Sequence, residues 1–152
     1  MTTTTEETRT CSYTLEISMS ATREKVWTAL TDEVNAWWLP DFHMVGPDSV
    51  VRFEGRAGGT LIETRTDGGS LLWYTVQMAM PNESLHLVGH LGPDWGGPAT
   101  SLLSLTLESQ GDETVLRVKD SLYGCPTEAS AEAQCDGWRQ LFTDGLKAYV
   151  EK

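Results

Sequence analysis

Near the end of the chain, Trp138, Leu141, Phe142, Leu146, Tyr149 and Val150 recur at three- and four-residue spacing. That is an apolar stripe along one face of a helix more than three turns long. Such a helix must lie against an apolar surface, and the chain before it offers mainly β-sheet. From Val50 to Ser121, runs of β-forming residues alternate with Gly and Pro breaks. Strands are predicted over 50–54, 60–66, 70–80, 84–91, 100–109 and 114–122. Asp67-Gly68-Gly69 and Gln110-Gly111-Asp112 are turn sequences between them. Connections this short predict antiparallel pairing.

Upstream, 13–19 alternates apolar and polar residues and reads as a half-buried strand. Ser20 sits where an N-cap is expected, and Glu24 falls in the first turn after it. Val26, Trp27, Leu30, Val34, Trp37 and Trp38 then follow at helical spacing, which predicts one or two short helices over 22–38, stopped by Pro40. Pro126 and Thr127 mark the start of the last helix. Gly137 and Gly145 inside it predict a close neighbour at each. Residues 1–11 are Thr- and Glu-rich and read as a disordered polar tail; 12–152 reads as one domain. The expected fold class is α+β: a curved antiparallel sheet of six to seven strands wrapped around the long C-terminal helix, with two short helices after the first strand. A sheet closed this way by a helix leaves room between the layers, a default place for a ligand.

Charge narrows the partners. The 11 Lys+Arg face 22 Asp+Glu, a net charge of −11, and no basic cluster exists. Nucleic acid and anionic membrane surfaces attract basic patches, so neither is an expected partner. No run approaches the ~20 apolar residues of a membrane helix, and residues 1–10 lack a signal-peptide core. The expected location is cytoplasmic. Cys11, Cys125 and Cys135 form no Cys-x-x-Cys pair, and His43, His86 and His90 have no zinc spacing. Neither a metal nor a cofactor is expected.

The segment from Ile17 to Leu30 resembles the opening motif of the START-like (SRPBCC, helix-grip) superfamily. Trp37-Trp38, Gly58-Gly59, Asp67-Gly68, Pro81 to Leu85, Thr114 and the closing Gly137-Trp138 through Leu146-Lys147 to Tyr149 follow in an order similar to the activator of heat-shock protein 90 ATPase homologue-like group. The resemblance runs from Tyr13 to Val150. It implies a helix-grip fold with a hydrophobic cavity and names no ligand. Members include lipid carriers, hormone receptors and polyketide cyclases.

Period two places Leu61, Glu63 and Arg65 on one strand face, and the resemblance directs the Leu61 position into the cavity. Glu63 and Arg65 are then an inward pair able to anchor a ligand headgroup. Asp120 stands where the family often carries a His; facing inward, it would pair with Arg65 or cap the cavity mouth. His43 falls near the rim, and His86 and His90 face outward. Six tryptophans are many for 152 residues. Trp38, Trp73, Trp138 and Phe142 are candidate aromatic walls, and Trp95, in a Gly/Pro loop, is a candidate lid. Met78 and Met80 are read as core or adaptable lining.

The expected function is binding of a small hydrophobic or amphipathic molecule, such as a lipid, in an internal cavity, without catalysis. Two other classes stand beside it. One is a cyclase or dehydratase using Glu63, Asp120 or His43 for proton transfer. The other is a module that binds a chaperone or stress protein partner.

Overall fold

The protein is described by a computed structural model covering residues 1–152. Seven strands form one antiparallel sheet: β1 (Arg9–Met19), β2 (Val50–Phe53), β3 (Thr60–Thr64), β4 (Ser70–Met80), β5 (Ser84–Leu91), β6 (Ala99–Gln110) and β7 (Glu113–Gly124). Their spatial order is β1-β7-β6-β5-β4-β3-β2, so the sheet is a meander whose first strand returns to pair with the last. Between β1 and β2 lie α1 (Arg23–Leu30) and α2 (Val34–Trp37). After β7 comes α3 (Glu128–Gln140), which runs on through a wider π-type segment, Leu141–Lys147, into Ala148–Val150. This is the helix-grip arrangement, a curved sheet around a long C-terminal helix. No helix is long and apolar enough to cross a membrane.

Local chemistry explains the boundaries. Thr127 opens α3 with a capping box, its hydroxyl accepting from the Ser130 amide and the Ser130 hydroxyl accepting from the Thr127 amide. At α1 the cap is Thr22, which accepts from the Lys25 amide; Ser20, the expected cap, lies in the bend before it and donates its amide to Glu151. β1 starts at Arg9, inside the segment expected as tail. Residues Arg9–Ser12 pair with Ser121–Gly124 through the backbone, which needs no apolar alternation.

The core sits between the concave sheet face and the C-terminal helix. Of the six residues of the stripe, Trp138, Leu141, Phe142, Leu146 and Val150 are buried and Tyr149 is half-buried. Each buried residue contributes about 1.5–3 kcal/mol of apolar burial. Of the two helix glycines, Gly145 has the close neighbour expected: a Cβ there would lie 2.6 Å from the Trp37 carbonyl oxygen. Gly137 does not, since a Cβ would meet only the edge of Phe42 at 3.8 Å. Gly145→Ala is therefore expected to destabilise by about 1–3 kcal/mol, although alanine favours helix by about 1 kcal/mol. Urea unfolding of the variant checks this, and a raised midpoint would contradict the close packing.

Candidate functional site

The interior void between sheet and helix is almost filled. Leu61, Trp38, Phe142 and Trp138 border it together with aliphatic side chains, and it measures only about 10 Å3. That is no more than one water needs. The expected internal cavity is therefore not where the resemblance directs it. Trp37 and Trp38 take up the space, their rings 5.8 Å apart and Trp37 6.2 Å from Phe142.

Open volume lies instead at the end of the layer pair, beside Ala133–Trp138 of α3. A cleft of about 380 Å3 runs between β4, β5 and the loop Gly92–Trp95. A second of about 200 Å3 lies between that loop, Phe42, Met44 and α3. The two share Trp73, Trp95, Gln134 and Trp138 as walls. Asp94 is the one formally charged side chain along both, and neither contains a lysine or arginine. Gly137 borders the smaller cleft, and its missing side chain leaves that space open.

Each tryptophan is held differently. Trp73 donates its indole N–H to Glu63 Oε1 at 3.1 Å and meets Trp38 edge-on, 5.4 Å between centroids. Trp95 sits on a short 3-10 turn and is 48 % exposed. Trp138 is 6 % exposed, stacks on Phe142 at 5.2 Å, and lies 5.9 Å from the Tyr74 ring. Its Nε1–H is buried and has no hydrogen-bond partner, alone among the buried side-chain polar atoms. Leaving such a donor unsatisfied costs about 1–3 kcal/mol.

Glu63 points inward, as period two requires, but it does not reach the clefts. Its carboxylate is completely buried and accepts four hydrogen bonds. The Met44 amide and Trp73 donate to Oε1; the Val45 amide and the Ser49 hydroxyl donate to Oε2. Burial alone pushes its pKa up, but the bonds from Ser49, Val45, Met44 and Trp73 outweigh this and hold it below the ordinary value. His43 Nδ1 bonds the Ser49 hydroxyl at 2.8 Å and so braces the same loop. Glu63 thus acts as the pin of residues 43–49, which in turn place Phe42 and Met44 on the cleft wall.

Arg65 departs from its expected place. β3 ends at Thr64, and Arg65 belongs to the turn that Gly68 and Gly69 close, so strand parity no longer applies. Its guanidinium lies at the surface, bonded to the Val45 carbonyl and Asp67. There is no inward Glu63–Arg65 pair, and none between Arg65 and Asp120. Met78 and Met80 also miss the interior. A bulge between Val76 and Met78 changes the parity, and both are exposed on the outer face. His86 and His90 face outward, as expected, although His90 borders the larger cleft.

Asp120 is 2 % exposed, in the inward row of β7. Tyr13, directly opposite in β1, donates to Oδ2 at 2.7 Å, and Ser101 of β6 donates to Oδ1 at 2.7 Å. Ser101 Oγ in turn bonds the Tyr74 hydroxyl at 2.7 Å. Tyr74 comes from β4 and must cross β5 to reach Ser101. Gly89 makes this possible: a Cβ there would stand 2.8 Å from the Tyr74 ring. Burial drives the Asp120 pKa up, beyond what the bonds from Tyr13, Ser101 and the Ser121 amide offset. Tyr74 and Ser101 border the larger cleft, so this buried chain ends at its wall.

Tyr13, Tyr74, Ser101, Gln134 and Gly89 were not singled out from the sequence. The legible signals were Ser101, a polar residue within the inward apolar row Ala99, Leu103, Leu105 and Leu107, and Gly89, a glycine inside a strand.

A family model, Activator of Hsp90 ATPase homolog 1-like protein, matches residues 20–151. No protein of curated function matches the chain. Among solved structures, protein MLL2253 from Mesorhizobium loti aligns with TM-score 0.65 at 23% identity, covering 91% of this chain and 95% of that one. The Aha1 dimer from Colwellia psychrerythraea, solved in solution, gives 0.65 at 23%, covering 93% and 96%. DynU16, encoded in the dynemicin biosynthetic locus, gives 0.67 at 20%, covering 93% of this chain and 47% of that one. At these identities the likeness is one of fold.

Proposed function

The chain belongs to the Activator of Hsp90 ATPase homolog 1-like family, and on that footing we propose that it binds a small, neutral, largely aromatic molecule with a hydrogen-bond-accepting oxygen, in the paired clefts at the open end of the grip. The observation that carries this reading is the buried, unpartnered N–H of Trp138, a residue that borders both clefts. A donor in that state gains most from an acceptor that arrives with the ligand. Three indoles and Tyr74 supply flat apolar surface around it, which suits a planar ring system. The lack of a lysine or arginine along the clefts, with Asp94 on the wall, argues against a free fatty acid, whose carboxylate would meet no permanently charged cation. Catalysis by Glu63 is not favoured, because both its oxygens are already occupied by donors.

A thermal-shift panel tests the reading. At one hundred times its Kd a ligand stabilises by about 2.7 kcal/mol, a rise of about 5–10 °C in Tm for a domain this size. Neutral aromatic ketones (1-tetralone, chromone, 2-acetonaphthone) are expected to raise Tm, and decanoate is not. A rise with decanoate alone would overturn the assignment. Trp138→Phe keeps an aromatic six-membered ring and removes the orphan donor with the five-membered ring that carries it. Relief of the unsatisfied donor offsets the packing volume lost, so the unliganded Tm is expected to change little and ketone binding to weaken about tenfold, or about 1.4 kcal/mol, measured by titration.

A further inference from the structure

We propose that the buried chain Asp120–Ser101–Tyr74 is a proton-linked receptor for the ligand's carbonyl oxygen: the oxygen accepts from the Tyr74 hydroxyl, and binding takes up one proton at Asp120. The inference rests on the ligand reading above and deepens it.

Hydrogen accounting along the chain compels the linkage. Ser101 has one hydroxyl hydrogen, and with Asp120 ionised it goes to Oδ1. Tyr74 must then donate its own hydrogen to Ser101 Oγ, since the 2.7 Å contact needs a donor. It has none left for the cleft. Protonating Asp120 on Oδ1 reverses every link: Asp120 donates to Ser101, Ser101 donates to Tyr74, and the Tyr74 O–H is freed. Tyr13 keeps donating to Oδ2 in both states, so the carboxyl stays oriented. The atoms balance: one proton enters at Asp120, and no other bond is made or broken.

The surroundings suit the switch. Asp120 forms no ion pair, so no cation locks it in the charged state. The titratable groups nearby are Tyr13 from β1, Tyr74 from β4 and Cys135 from α3, with Cys11 of β1 and Glu128 and Glu132 of α3 lining a surface recess with Tyr13, and His90 of β5 bordering the cleft. Burial raises the pKa of Asp120, which brings its titration toward neutral pH. Trp138, whose ring lies 5.9 Å from that of Tyr74, offers the ligand a second donor.

The experiment compares 1-tetralone with tetralin, which differ by the carbonyl. Affinities are measured by NMR titration from pH 4.5 to 8 on the wild-type protein, Asp120→Asn and Tyr74→Phe. Above the titration of Asp120, tetralone binding is expected to weaken as pH rises, by no more than about tenfold per pH unit, and to level off at the affinity that the apolar walls and the Trp138 N–H supply, while tetralin binding stays flat. Asp120→Asn can donate permanently to Ser101, so its tetralone affinity should be independent of pH at the acidic wild-type level. Tyr74→Phe should lose the pH dependence of tetralone binding and keep only the preference for tetralone over tetralin that the Trp138 N–H supplies. If tetralone and tetralin show the same pH dependence, or if Asp120→Asn keeps the slope, the proton linkage is wrong and the ligand reading stands. If neither probe binds the wild-type protein at any pH, the ligand reading fails and takes the linkage with it.

Discussion

Glu63→Gln is expected to lower the stability of the fold by about 2–4 kcal/mol. The four bonds to its carboxylate all come from donors. A glutamine turns one oxygen into an NH2 group, and at either end that group faces an amide N–H. On the Oε2 side the Ser49 hydroxyl can reverse, but the Val45 amide loses its acceptor. On the Oε1 side both the Met44 amide and the Trp73 indole are stranded. The loss should reach the clefts as well, because the pinned segment carries Met44 and the freed indole belongs to Trp73. The sign of the pH effect follows from the lowered pKa of Glu63. Its contribution is complete above the ordinary glutamate value and is lost as pH falls through the lower, folded-state value. Urea unfolding at pH 7 should therefore separate wild-type protein from variant, and the gap should close in acid. Equal stability at pH 7 would refute the pinning role.

Trp138→Ala should cost about 3–5 kcal/mol and abolish binding. The indole fills the junction of both clefts with the interior void and is the ring on which Phe142 stacks. Its removal opens a hole that the rigid ring of Trp37 cannot collapse into, since Trp37 is tied to the Ala29 carbonyl at 2.6 Å. The contrast with Trp138→Phe separates packing from recognition. The alanine variant should lose stability and ligand together, and the phenylalanine variant ligand affinity alone. A Trp138→Ala protein that melts like the wild type would show that the indole is no structural keystone.

Much of the architecture could be read from residue spacing. Runs of β-forming residues between Gly and Pro breaks located β4 and β5 to the residue, and the stripe from Trp138 to Val150 named the helix face that is buried. Those signals are local and repeat many times, so one exception does not erase them. The site was less legible, because it depends on where periodicity stops. Arg65 missed the interior by one residue when β3 ended at Thr64, and a single bulge turned Met78 and Met80 outward. Asp120 stands out in the sequence, but Tyr13 and Ser101, which donate to it, and Tyr74, which bonds Ser101, lie on three other strands. Nothing in the spacing of one strand tells which side chain crosses a glycine in the next. The position of the open space was hidden for a similar reason. Whether Trp37 and Trp38 fill a cavity or line it is decided by three-dimensional volume, not by pattern.

The central claim is that an acceptor brought by a ligand satisfies the Trp138 N–H. The most direct test is a 15N–1H NMR titration of the indole N–H signals with 1-tetralone at pH 5, the Trp138 signal being assigned by its absence in Trp138→Phe. That signal is expected to move downfield and saturate, while the Trp37 signal, already bonded to Ala29, stays in place. A Trp138 signal that does not move, with the probe present at millimolar concentration, would contradict the account.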